Sequence, residues 1–114
     1  MGLLRNANTG AIIATRVERA VSFLERSVGL LARPKIRPDE GIWLEACGAI
    51  HTIGMREAID VIFLDEERRV LKLCPSVERF QRAVRCPGAR AVVGLGDGAL
   101  RFADILVGDR LELV

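Results

Sequence analysis

The sequence predicts a mainly β domain, a small sandwich or barrel of about six or seven strands with one or two helices packed on it. Turn signals recur at short intervals: Asn8-Thr9-Gly10, Arg33-Pro34 to Gly41, Cys74-Pro75, Cys86-Pro87-Gly88, Gly94 to Gly98 and Gly108-Asp109. Short segments between frequent turns favour strands over long helices. Several of these segments alternate apolar and polar residues, and one is apolar throughout. With 114 residues against ~150 for a typical domain, the chain is expected to form one domain over residues 1–114.

Ala11 to Val21 is rich in β-branched and small residues, with Ile13, Thr15, Val17 and Val21 on one side and Arg16 and Glu18 on the other. That pattern predicts a strand with one wet face. Ser22-Phe23-Leu24-Glu25 has the form of a capping box, and Leu24, Val28 and Leu31 follow at helical spacing. An amphipathic helix over Ser22 to Ala32, stopped by Pro34, is expected. Gly41 to Cys47 alternates Ile42, Leu44 and Ala46 against Trp43, Glu45 and Cys47, as a strand does. Ala58 to Leu64 is apolar on both faces, which predicts a central, doubly covered strand. Val70 to Cys74 should return from it as a hairpin after the polar turn Glu66 to Arg69. Ala89 to Leu95 and Arg110 to Val114 read as further strands, and Asp97 to Asp104 as a short helix. The expected core holds Phe23, Leu24, Leu31, Val61, Phe63, Val92 and Leu95.

Half the residues are apolar and 28% are charged, the balance of a folded chain rather than a disordered one. A net charge of +2 argues against a dedicated nucleic-acid binder. One Trp, four Phe and no Tyr leave no stacking platform for single-stranded bases. No apolar run approaches the ~18–20 residues of a membrane span. Met1 to Asn6 does not open an export signal, so a cytoplasmic protein without membrane or nucleic-acid partners is expected. The odd cysteine count, Cys47, Cys74 and Cys86, predicts free thiols that pack as small hydrophobes.

Most of the unusual polar residues lie between Cys47 and Asp65. This stretch holds the one histidine, His51, and sets Asp60 at the start of an apolar strand. There a carboxylate needs donors to offset its desolvation. Thr52 lies eight residues before Asp60 and Arg56 four before it. The expectation is that Asp60 latches the His51 to Arg56 loop to the sheet.

His51 can serve as a base, a metal ligand, a ligand donor or a structural tie. Cys47 and His51 form C-x3-H, which Cys74 and Cys86 would have to join to make a zinc set. Cys47 can also be a nucleophile with His51 as its base. Arg26 and Arg56 suit bidentate binding of an anion. Gly94-Leu95-Gly96-Asp97-Gly98 lacks the Lys-Ser/Thr continuation of a phosphate loop and reads as a turn.

These residues also carry a resemblance. His51-Thr52-x-Gly54-Met55 running into Ile59-Asp60-Val61-x-Phe63-Leu64-Asp65 resembles the signature of the family catalogued as domain of unknown function 192. Ser22-x-x-Glu25-Arg26-x-x-Gly29-Leu30-Leu31-x-Arg33 resembles its upstream helix motif, which usually has Met at the position of Leu31. Cys86-x-Gly88-Ala89-x-x-Val92-Val93-Gly94-Leu95-x-x-Gly98 resembles its downstream strand, where an acidic residue is more usual than Gly94. Gly108-Asp109-x-Leu111 also matches, so the likeness covers roughly residues 11 to 114. It implies a compact β-rich fold and no particular activity.

The sequence therefore predicts a non-catalytic binding module for a small polar or anionic ligand, or for a partner, near the His51–Asp60 loop. Its contacts are expected from His51, Thr52, Met55, Arg56, Asp60, Arg26 and Cys47, with no cofactor and no metal. The alternatives are a small hydrolase or transferase using Cys47, His51 and Asp60, or a scaffolding protein.

Overall fold

The apolar run Ile59-Asp60-Val61-Ile62-Phe63-Leu64 becomes the strand around which the rest is arranged. A computed structural model describes residues 2–20, 36–50, 55, 57–79 and 84–114, and all six residues of this strand are buried. Among the described residues nine strands form: β1 (Gly2–Asn6), β2 (Ile12–Ala20), β3 (Glu40–Glu45), β4 (Ala49–Ile50), β5 (Ile59–Leu64), β6 (Val70–Val77), β7 (Val84–Arg85), β8 (Ala91–Gly96) and β9 (Leu111–Leu113). Seven of them make one sheet in the order β6-β5-β8-β3-β2-β1-β9, and β4 and β7 pair as a small separate ribbon. Among the described residues β2 and β3 are the one parallel pair, and residues 21–35 fall between them in the chain.

The sheet curls until its two outermost strands meet at one end. Arg69 bridges Arg110, the Val70 amide donates to the Asp109 carbonyl at 2.8 Å, and the Leu111 amide donates to the Arg68 carbonyl at 3.0 Å. The result is a barrel closed at that end. Beyond the closure β6 contains Lys72 and Pro75, two residues that discourage further pairing along an exposed strand edge.

Alternation along the strands sorts the core into two layers. Ile62 and Leu64 of β5 face the barrel interior with Leu4, Val17, Trp43, Val93, Leu95 and Leu111. Ile59, Val61 and Phe63 face outward into a second layer with Ile42, Leu44, Ile50, Met55 and Val92. This double covering is why β3, β5 and β8 look apolar on both sides. The interior layer is edged by Trp43, fully buried, whose indole N–H donates to Glu45 at 2.8 Å while Arg19 and Arg68 lie over its ring.

The mainly β class, the β5–β6 hairpin and the buried positions of Val61, Phe63, Val92 and Leu95 agree with expectation. Three details differ. Residues 97–101 form turns, followed by a bend at 102 and irregular chain at 103–104, rather than a helix; Gly98 there has a φ of +97°, which interrupts helical winding. On β2 the buried residues are Ala14, Val17 and Ala20, while Thr15 is exposed. Ile13 and Val17 share the interior layer and Arg16 is exposed, as expected, while the register shifts between β1 and β2 break simple alternation, leaving Thr15 exposed and Ala14 buried. β6 also runs on through Pro75 to Val77. The expected helix over Ser22 to Ala32, with Phe23, Leu24 and Leu31, lies outside the described residues.

Candidate functional site

The buried carboxylate is the natural starting point. Asp60 has no solvent exposure, and its neighbours Ile59 and Val61 face outward, so alternation turns its side chain to the interior face. Opposite it β6 bulges: Ile59 pairs with Val77 and Val61 with Cys74, leaving Pro75 and Ser76 against Asp60 alone. Pro75 has no N–H, and Ser76 takes a φ of +50°. The bulge removes the Ser76 amide from the strand ladder. Asp60 recovers it: Oδ1 accepts that N–H at 2.8 Å, and Oδ2 accepts the Leu100 N–H at 2.7 Å. The Ser76 hydroxyl donates to Asp97 at 2.6 Å. Asp60 thus ties β5 to the β6 bulge and to the connection that follows β8.

A second buried polar residue holds the far end of that connection. Asn6, fully buried, donates through Nδ2 to the Asp104 carbonyl and to the Asp109 carboxylate, each at 2.9 Å. Between these two braces Ala99, Leu100, Ala103 and Ile105 pack against the interior layer. Phe102, Leu106 and Val107 stay exposed. Sequence reasoning did not single out Asn6. Its only local signal is an amide side chain directly before a turn, where Asn is common for other reasons.

The outer face presents different chemistry. Met55, 3% exposed, comes from the loop that precedes β5. With Ile36, Gly41, Ile42, Ile59, Gly94 and Leu95 it lines a recess enclosing about 260 Å³ with its open mouth. Two glycines of neighbouring strands behave differently at this recess. A Cβ on Gly41 would fall 2.1 Å from the Gly94 carbonyl oxygen, so only glycine lets β3 lie this close to β8. A Cβ on Gly94 would meet only the Ile42 and Ile59 methyls, at 3.7 Å. The recess exists because β8 has no side chain there.

All three thiols collect around the outer layer. Cys47, Cys74 and Cys86 are free, half-buried and packed against it. Cys47 follows a turn in which Ala46 has a φ of +51°, and its thiol donates to the Ala49 carbonyl at 2.8 Å. Burial pushes the Cys74 thiol above its ordinary pKa against the opposing pull of Lys72. Among the described residues no three His, Cys, Asp or Glu side chains are placed to hold a metal ion.

Of the residues singled out in the sequence, Met55 and Cys47 share the outer layer, whereas Asp60 lies on the interior face. Cys47 and Asp60 therefore cannot act on one substrate atom. His51, Thr52, Arg56 and Arg26 lie outside the described residues. The expected latch from Asp60 to the His51–Arg56 loop falls on residues outside the described ones; among the described residues Asp60 accepts from the amides of Ser76 and Leu100.

A curled β barrel with a glycine-lined recess on its outer face defines the class of protein. The chain belongs to the family of uncharacterised ACR proteins known as domain of unknown function 192, whose model matches residues 4–113. It is 33% identical over 110 residues to a UPF0127 protein of Pyrococcus furiosus, covering 94% of each chain. It is 27% identical over 117 residues to a UPF0127 protein of Thermococcus sibiricus, covering 96% of this chain and 73% of the relative. The fold also matches the crystal structure of a protein of unknown function from Novosphingobium aromaticivorans, with a TM-score of 0.77 at 20% identity over 96% of this chain and 83% of that one.

Proposed function

We propose that the chain is a non-catalytic binding module. It takes a small ligand with a polar or anionic head and a short aliphatic branch, or a partner segment that offers the same groups. The observation that carries this reading is the recess at Met55. It is apolar throughout, it is lined by Met55, four residues after the one histidine in the chain, and it is formed by the missing side chain of Gly94. The recess is shallow and lined by aliphatic groups and glycine backbone, which suits a branched side chain rather than a whole cofactor. His51, Thr52, Arg56 and Arg26 supply the polar contacts in this reading, with Met55 and Cys47 on the apolar side. Asp60 serves as a brace, since each of its oxygens already accepts a backbone N–H.

The test is a titration with isovalerate, a carboxylate on a branched four-carbon chain, followed by methyl NMR. Shifts at Met55, Ile36, Ile42 and Ile59 are expected in the wild type. They should vanish in Gly94→Val, whose methyls occupy the recess. Unmoved methyls in the wild type, or equal shifts in both proteins, would sink the proposal.

A further inference from the structure

We propose that the recess takes the Asp104–Val107 segment of a second copy of this chain, an occupant that rests on the reading of the recess as a binding site. Copies then join head to tail, the tip of one barrel seated on the outer face of the next. The connection after β8 ends in an apolar tip at which Phe102 is 91% exposed, Leu106 70% and Val107 65%. The tip is held in place. Ile105 is buried in the interior layer, and Asn6 fixes the Asp104 carbonyl and the Asp109 carboxylate. The Leu106 amide donates to that same carboxylate at 3.0 Å. The Asp109 amide donates back to the Leu106 carbonyl at 3.0 Å, and the Gly108 amide donates to the Val70 carbonyl at 2.8 Å. These anchors at the β6–β9 seam keep Leu106 and Val107 in solvent. Presenting them to a partner therefore costs little further ordering.

Tip and recess complement each other in shape and charge. Leu106 supplies an aliphatic branch, and Asp104, two residues earlier, an exposed carboxylate. The recess is lined by aliphatic groups, and its wall at Ile36 continues into Arg37. The Arg37 backbone lies directly on β8, since a Cβ on Gly96 would fall 2.2 Å from its carbonyl oxygen. The Arg37 Nε pairs with Asp39 at 3.2 Å, yet the side chain is 72% exposed. Its terminal N–H groups are thus available to the Asp104 carboxylate of the next copy. A tip and a recess on separate surfaces of one chain make a heterologous contact, so each pair keeps one free tip and one free recess for further copies. A contact of so few side chains is small, and the association it supports is weak and transient.

The test follows the full chain over rising protein concentration by sedimentation velocity and methyl NMR. The weight-average sedimentation coefficient of the wild type should rise with concentration. The methyls of Met55, Ile36, Ile42 and Ile59 should shift together with those of Leu106 and Val107. Leu106→Ser/Val107→Ser and Gly94→Val, each checked for native circular dichroism, should stay monomeric alone. Mixed, they should form a complex of twice the monomer mass that grows no further, because one variant supplies the recess and the other the tip. The tip variant should still answer isovalerate at its recess methyls. A wild type that stays monomeric at every concentration while its recess answers isovalerate would overturn the second copy as occupant and leave the ligand reading standing. Association that moves the tip methyls alone, that survives Gly94→Val, or that is not restored by mixing would also overturn it. If Gly94→Val does not fold, the wild-type methyl series decides, since recess methyls that stay still during association contradict the proposal.

Discussion

The two faces of β5 make an instructive pair. On the interior face Asp60, Ile62 and Leu64 look into a layer to which seven strands contribute, and the carboxyl group of Asp60 is met by two backbone amides. On the outer face Ile59, Val61 and Phe63 lie among residues from the loops, the β4–β7 ribbon and three half-buried thiols. The outer layer also includes the glycine-lined recess. Burial is equal on the two sides, yet the polar group of the interior is spent on holding the fold. The groups with chemistry to spare collect outside. A buried carboxylate and a nearby cysteine therefore do not make a site, because one strand step separates opposite faces.

That contrast is first tested by the outer apolar layer itself. Phe63 is fully buried, and Phe63→Ala should cost about 3–5 kcal/mol in urea denaturation. Leu64→Ala, its interior neighbour, should cost about 2–5 kcal/mol. A loss below about 1 kcal/mol at Phe63 alone would make the outer layer a surface feature rather than a second core. Asp60→Asn comes next. One of its two amide-facing oxygens becomes an NH2 donor aimed at a backbone donor, and stability should fall by about 1–3 kcal/mol.

The glycines sharpen the comparison further. Gly41→Ala must push strand β3 from β8 and should cost about 1–3 kcal/mol. Gly94→Ala, entering open space between methyls, should stay within about 0.5 kcal/mol of wild type. Similar losses at both would mean that the recess is not open.

The smallest effect is a pH dependence. At Asp39 desolvation works to raise the carboxyl and is outweighed by the Thr15 hydroxyl, at 3.1 Å, and by Arg37, so its pKa lies below the ordinary 3.8. A carboxyl lowered by folding contributes stability above its unfolded pKa and loses it as the pH falls through the folded value. Melting temperatures of wild type and Asp39→Asn should therefore converge below about pH 4. A constant gap at every pH would contradict this assignment.

Much of this was legible in the sequence where one segment carries its own signal. Ile59 to Leu64 announces a doubly covered strand because both faces are apolar. Asp60 announces a need for donors because a carboxylate at its start must be satisfied. The identity of the donors was hidden, since Ser76 and Leu100 lie 16 and 40 residues away and one of them is freed only by a bulge. Pro75 read as the end of a strand, whereas on an edge strand a bulge accommodates it. β1, β4 and β7 were too short or too polar to show a period. The recess was invisible because it depends on which methyls surround Gly94, a matter of packing rather than of pattern.

The central claim is that Asp60 braces the interior face and the connection after β8, apart from the outer-face site. Amide hydrogen exchange in wild type and Asp60→Asn tests it most directly. Protection at the Ser76 and Leu100 amides should collapse in the variant, while the Val61, Phe63 and Val92 amides keep theirs. Unchanged protection at Ser76 and Leu100, with Asp60→Asn as stable as wild type, would contradict the claim and return Asp60 to the candidate site.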